Sequence, residues 1–304
     1  MDRRAWFWLL LLGAVWGASY LFIAIGLRDF SPGMVAFLRI ALAAAVLIPV
    51  AAAQGALSGA RRYAGWLVLV GAVQVAGPFI LIAAGEEEIS SSLAGILVAA
   101  APLWTAVLAI WVDHEERSHG LRLVGVLIGY AGVGLLLGVD LGGGGSELLG
   151  GLAVVLAALG YAVGGLLVKH RLTGMPPVGM SGLVMGASAL LLLPVAFATP
   201  PDSLPGLGPI AAVAALGVVG TGAAFVIFYW LISTVGPART LIVTYVAPGF
   251  AIVYGSVFLS EEITVTTIAG LALILAGSWL SAEGRLPGRR RRWTGESLPT
   301  GEVP

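Results

Sequence analysis

Residues 102–132 read PLWTAVLAIWVDHEERSHGLRLVGVLIGYAG, and residues 248–277 read PGFAIVYGSVFLSEEITVTTIAGLALILAG. Each stretch opens on a proline, carries Glu-Glu thirteen positions later (Glu115-Glu116, Glu261-Glu262), and closes on two glycines seven apart (Gly125/Gly132, Gly270/Gly277). The offset between them is 145 to 146 residues, and nearly the same offset carries Pro32 onto Pro177, Pro49 onto Pro194, Phe79 onto Phe225 and Trp16 onto Tyr161. Punctuation shared at one long period marks a duplicated unit.

What the unit is made of follows from the charges around it. Of 304 residues, 59% are hydrophobic and 11% charged, with a mean hydropathy of +0.99. Soluble chains are about 45–50% apolar and about 25% charged, so a water-soluble globule is excluded. Ten stretches hold no Asp, Glu, Lys or Arg: 5–27, 40–60, 63–85, 89–112, 123–139, 148–168, 172–201, 203–238, 240–260 and 263–282. A bilayer core of about 30 Å takes about 20 helical residues, so each stretch is long enough for one crossing. Pro176-Pro177, Pro200-Pro201, Pro205, Pro209 and Pro237 bound the two longest runs, leaving room for one span in each. The chain reads as an all-α membrane protein of ten transmembrane helices. Five spans per repeat is an odd number, so the second repeat enters the bilayer from the opposite side and the two are inverted. The divisions fall at 1–139 (first repeat), 140–151 (a linker containing Gly142–Gly145), 152–283 (second repeat) and 284–304 (a basic tail read as disordered).

Placing the N-terminus inside puts Arg3, Arg4, Arg61, Arg62, Arg117, Arg122, Lys169, Arg171, Arg239, Arg285 and Arg289–Arg292 on the inner face. Arg28 alone falls outside and Arg39 lies within the second span. Excess Lys and Arg mark the cytoplasmic side, so both termini are expected in the cytoplasm of a protein of the cell membrane. The N-terminal apolar run continues to Leu27 and reads as a retained span rather than a cleaved signal. Net charge is zero, which argues against a nucleic-acid binder. Cysteine is absent, so no thiolate chemistry is available. His114, His119 and His170 have the wrong spacing for a metal site, and a P-loop Gly-Lys-Ser/Thr is missing. No cofactor or metal is expected, and ATP-driven pumping by this chain is excluded.

Residues 240–281 resemble the end of an EamA repeat, and residues 89–137 its first-half counterpart through Pro102, Glu115, Glu116, Gly125 and Gly132. That family belongs to the drug/metabolite transporter superfamily; Trp16-Gly17 and Arg39 also fit its pattern, and the resemblance covers about 5–283. It implies two inverted five-helix repeats around a central cavity and transport of small metabolites such as amino acids, often outward. The chain departs from symmetry at Gly160-Tyr161, opposite Trp16-Gly17, and at Val184, opposite Arg39.

The candidate binding residues are those awkward to expose to lipid. Arg39 lies seven residues past Pro32, about 10 Å along a helix. An Arg at depth costs roughly 2.5–3.5 kcal/mol on insertion scales, so it either faces a cavity, where it would meet an anionic substrate group, or snorkels to the headgroups. Gln74, Trp16, Tyr20, Trp104, Tyr161, Trp230 and Tyr245 are candidates for substrate contact, with interface anchoring or core packing the alternative for each aromatic. Pro102 and Pro248 sit mid-span as candidate helix breaks that free carbonyls, or as simple kinks. Glu86, innermost of Glu86–Glu88, is the candidate for proton coupling; hydrated helix boundaries explain the other paired glutamates. Glycine spacings such as Gly13/Gly17, Gly125/Gly129, Gly160/Gly164 and Gly182/Gly186 permit close helix contact and leave a homo-oligomer open.

Inverted repeats are the architecture of secondary transporters. The expected function is export of a small-molecule substrate, an amino acid or related amphipathic compound, across the bilayer by alternating access. An integral-membrane enzyme or a non-transporting accessory subunit is the alternative; an enzyme would need His-Glu or Asp pairs at depth. The orientation is tested by C-terminal fusions: a fluorescent protein after Pro304 should fluoresce, and an alkaline phosphatase there should be inactive.

Overall fold

Three side-chain caps set the first helices in place. Asp2 accepts from the Ala5 amide at 2.8 Å, and Ser31 and Ser90 accept from Met34 and Leu93 at 3.2 Å each, satisfying donors that a helix start leaves free. Pro32 follows Ser31 at the first helical position, where its missing N–H costs nothing. The computed structural model describes residues 1–112, 120–140, 145–201 and 203–283, and among these it is helical with turns between. His114, Glu115, Glu116, Arg117, His119, the glycines at 142–144 and the tail 284–304 lie outside the described residues.

Among the described residues, nine helices are long and apolar enough to cross a bilayer: α1 (Arg3–Gly26), α2 (Pro32–Ala53), α3 (Ala60–Glu86), α4 (Ser91–Ala109), α5 (Leu121–Gly138), α6 (Gly145–Arg171), α7 (Pro177–Ala198), α8 (Leu207–Val235) and α10 (Val265–Ala282). The tenth, α9 (Val243–Leu259), is apolar but has 17 residues, about 25 Å of helix. Its shortness has a local cause: the chain turns at Leu241-Ile242, after a separate helical turn at Pro237–Thr240.

The helices pair across the halves. α2 lies antiparallel to α7: the Ser31 hydroxyl donates to Thr199 Oγ1 at 2.8 Å at one end, while Gly179 lies against the Ala56 carbonyl at the other. α5 lies antiparallel to α10, and its contact is made of backbone. A Cβ on Gly277 would meet the amide and Cα of Gly129, and one on Gly125 would meet Ser281 N and the Gly277 carbonyl. The glycines that the sequence repeats at Gly125/Gly132 and Gly270/Gly277 therefore face one another. The remaining pairings correspond between halves: α1 packs on α9 as α6 does on α4, and α8 packs on α1 as α3 does on α6.

Two helices leave the α-helical winding at corresponding places, and α5 ends in a further π-helical turn at Leu136–Asp140. α3 makes a π-helical turn at Gly71–Ala76 and α8 one at Val218–Ala223. The two mid-span prolines behave differently. α4 is interrupted at Ala99-Ala100, just before Pro102, and Ser278 Oγ of α10 donates to the Ala99 carbonyl at 3.2 Å. Helix α9 instead runs on through Pro248, so the helix break expected there is absent from this structure. Gly17 of α1 lies directly on that backbone, at the Ala247 carbonyl and Ala251 amide.

Small residues are what permit helices to approach in lipid. Gly277→Ala should lower the melting temperature of the purified protein by several degrees, since overpacking costs about 1–3 kcal/mol. Gly134→Ala on the facing helix α5, where an added Cβ meets nothing within 4 Å, should leave it unchanged.

Candidate substrate site

The Ser31 cap and Pro32 fix where α2 begins, and Arg39 follows two turns later. Its partner is supplied by the irregular turn of α8. Winding α8 as a π-turn displaces the usual carbonyl acceptor pattern, and the Thr221 hydroxyl donates to the Leu216 carbonyl five residues back, at 3.0 Å. The same oxygen accepts from Arg39 Nε at 2.9 Å. On its other side the guanidinium carbon stands 3.9 Å from the ring centre of Phe79, which lies just past the π-turn of α3. Thr221 is wholly buried and Arg39 is 9% exposed. The guanidinium is bound between α8 and α3 rather than extended to the end of α2.

Tyr20 of α1, Tyr161 of α6 and Glu86 of α3 lie within electrostatic reach of Arg39. Glu86 does not close an ion pair with it, because both Glu86 carboxylate oxygens are buried without a hydrogen-bond partner. A cation and a carboxylate thus stand in one region, each lacking a charged partner in direct contact. Toward the far end of α8, Phe225, Phe228 and Tyr229 continue the face begun by Thr221, at helical spacing. Trp16 of α1 packs on Phe225 and Phe228, with ring centres 6.2 and 5.3 Å away. Tyr229 is hydrogen-bonded to Ser181 of α7. Gln74 sits in the α3 π-turn and lies against Gly164, one turn of α6 from Tyr161.

The structure therefore brings Arg39, Tyr20, Tyr161 and Glu86 together, with Trp16 and Gln74 alongside. It places three other candidates elsewhere. Trp104 packs edge-on against Tyr130 of α5, ring centres 5.3 Å apart, in a separate apolar cluster. Trp230 packs on Trp8 at 6.0 Å, with Arg4 over its ring, near the start of α1. Tyr245 stands half-buried in the first turn of α9. Sequence reasoning did not select Phe79 or Phe225 for the site, although their pairing on the repeat offset was a signal for both. Among the described residues, no cluster of three or more His, Cys, Asp or Glu is arranged to hold a metal ion.

A profile described as the EamA-like transporter family matches the chain twice, over residues 3–138 and 148–282. The chain belongs to the EamA-like transporter family. The EamA chain is 28% identical over 271 residues to the uncharacterized inner membrane transporter YedA of Escherichia coli (strain K12), covering 87% of this chain and 85% of that one. It is 26% identical over 290 residues to a probable terminal-alkyne amino-acid exporter of Streptantibioticus cattleyicolor, covering 93% and 95%. A solved crystal structure shares the fold, with a TM-score of 0.64 over 92% of this EamA chain and 98% of that chain, at 20% identity. Family and relatives carry the names of transporters rather than enzymes, and the apolar helices make this a multi-pass membrane protein.

Thr221 serves two acceptor and donor roles at once, so its removal should be felt in both helices. Thr221→Val leaves the Leu216 carbonyl and Arg39 Nε without their partner. It should destabilise the protein by about 1–3 kcal/mol, read as a lowered melting temperature, whereas Thr221→Ser should retain most of the stability.

Proposed function

We propose that this EamA protein is a secondary transporter that exports small amphipathic metabolites, amino acids or related carboxylates, across the cytoplasmic membrane by alternating access, with both termini inside. The observation that carries the reading is Arg39: a guanidinium held at depth by a neutral hydroxyl and an aromatic face, beside a carboxylate that does not pair with it. Such a cation is oriented but not neutralised, which suits it to the carboxylate of a substrate. Trp16, Phe225 and Phe228 supply apolar walls next to it for the substrate's side chain. The name of the Streptantibioticus relative, an amino-acid exporter, agrees with that chemistry.

The two family matches, with 139–147 between them, support a duplicated unit divided near the glycine-rich segment. The antiparallel contacts of α2 with α7 and of α5 with α10 support inversion, because equivalent helices of inverted repeats run in opposite directions. In this cycle Arg39 binds the substrate carboxylate, Tyr20 and Tyr161 border it, and Glu86 carries the coupling proton. The break before Pro102 gives α4 a joint.

Flux into proteoliposomes containing this protein alone tests the reading. Wild type should move one or more amino acids or related carboxylates, and Arg39→Gln should reduce that flux at least tenfold while the protein remains folded. Flux and carboxylate competition unchanged in Arg39→Ala would end the assignment of Arg39. Absence of flux with every metabolite tried would end the transporter reading.

A further inference from the structure

The turn between α9 and α10 is built with more care than a hydrated loop requires. Ser260 adopts the left-handed conformation, φ 57° and ψ 31°, which is costly for a residue with a side chain. Its amide and that of Glu261 both return to the Gly255 carbonyl, Glu261 N at 3.2 Å. This turn aims the Glu261 carboxylate at the first turn of α4, in the other half of the chain. Oε1 accepts from the Ser91 amide at 2.8 Å, Oε2 accepts from the Ser92 amide at 3.0 Å, and the Ser92 hydroxyl donates to the same Oε2. A carboxylate on the free amides of a helix start is a strong, charge-assisted contact. Room for it depends on Gly255: a Cβ there would run into both Glu261 Oε2 and the Ser92 hydroxyl.

What lies beside this contact shows why it is more than a staple. Glu86 and Ser91 flank it, and Glu86 Oε1, Glu86 Oε2 and Ser91 Oγ are all buried without a hydrogen-bond partner. Glu86 and Glu261 are also within electrostatic reach of one another, so an ionised Glu86 would face a second carboxylate across the closed contact. Glu88, Glu147 and Glu262 line the adjoining pocket, whose lining contains no basic residue. The closed arrangement therefore gains a bidentate cap and leaves three polar atoms unsatisfied. Opening would lose the cap and hydrate those atoms. Opposed terms of this kind bring two states close in free energy, which a gate needs and a fixed joint does not.

We propose that Glu261 is the latch of one gate of the transporter: its carboxylate, seated on Ser91 and Ser92, holds α4 of the first half to the α9–α10 turn of the second and closes this end of the bundle. Each cycle releases and reseats it. The inference rests on the alternating-access reading above, but its test needs no substrate. The chain has no cysteine, so Ser91→Cys introduces a single thiol where Ser91 is 2% exposed, with the backbone amide of the cap retained.

In nanodiscs, that thiol should react slowly with a membrane-impermeant maleimide. Adding Glu261→Gln or, by a separate steric route, Gly255→Ala should raise the labelling rate about tenfold, the shift expected for loss of one charge-assisted contact. Glu262→Gln, a neighbouring carboxylate without the cap, should leave the rate unchanged. If either variant fails to fold, Ser92→Ala, which removes one bond of the three, should still accelerate labelling. Equal labelling rates in folded Glu261→Gln and Gly255→Ala proteins, with only a lowered melting temperature, would show a static joint and overturn the proposal. That outcome would leave the flux of the wild-type transporter untouched.

Discussion

Lipid gives helices no hydrophobic reason to associate, so this bundle depends on how closely its backbones can approach. One close approach is the crossing of α5 and α10, where Gly125, Gly129 and Gly277 bring main chain onto main chain. The crossing of α2 and α7 works in the same way, with Gly179 against the Ala56 carbonyl and Gly33 against Val195. Both crossings join one half of the chain to the other. The glycine pairs singled out from the sequence are thus used within the chain.

Polar groups inside such a bundle have to be satisfied by protein. Arg39 shows how closely the terms balance. Its burial costs roughly 2.5–3.5 kcal/mol; a hydrogen bond to a charged group returns about 1.5–3 kcal/mol and a ring face about 0.5–2 kcal/mol. The residue is tolerated without a counter-ion, provided α8 unwinds locally to present Thr221 and α3 places Phe79 behind it. The buried cation and the irregular winding are therefore parts of one feature here.

The sequence exposed the apolar helices and the glycines that meet between them, because charge-free runs and repeated punctuation survive any detail of packing. Arg39, Tyr20, Tyr161 and Glu86 were legible for a related reason: polar atoms in an apolar span have few places to go. Trp104 and Trp230 carried the same signal and went elsewhere, since an aromatic ring satisfies itself equally against Tyr130 or Trp8. The two π-turns left no mark in periodicity. Pro102 and Pro248 looked alike, yet one helix is interrupted and the other continues. Glu261 read as a hydrated turn, because its use depends on an αL serine and a distant helix start that no local pattern brings together.

The π-turn of α8 has a consequence for how such a protein can change. A π-turn accommodates one residue more than regular winding, so a deletion within Val218–Ala223 could be absorbed by rewinding the turn as ordinary helix. Everything beyond it, Ala224 to Val235, would then keep its facing, because the rewound turn takes up the missing residue. Phe225, Phe228 and Tyr229 would stay on their wall, while the unwound backbone around Thr221 that meets Arg39 would be lost. The seat of the cation can thus be removed in a single genetic step, without any change in the aromatic wall beside it.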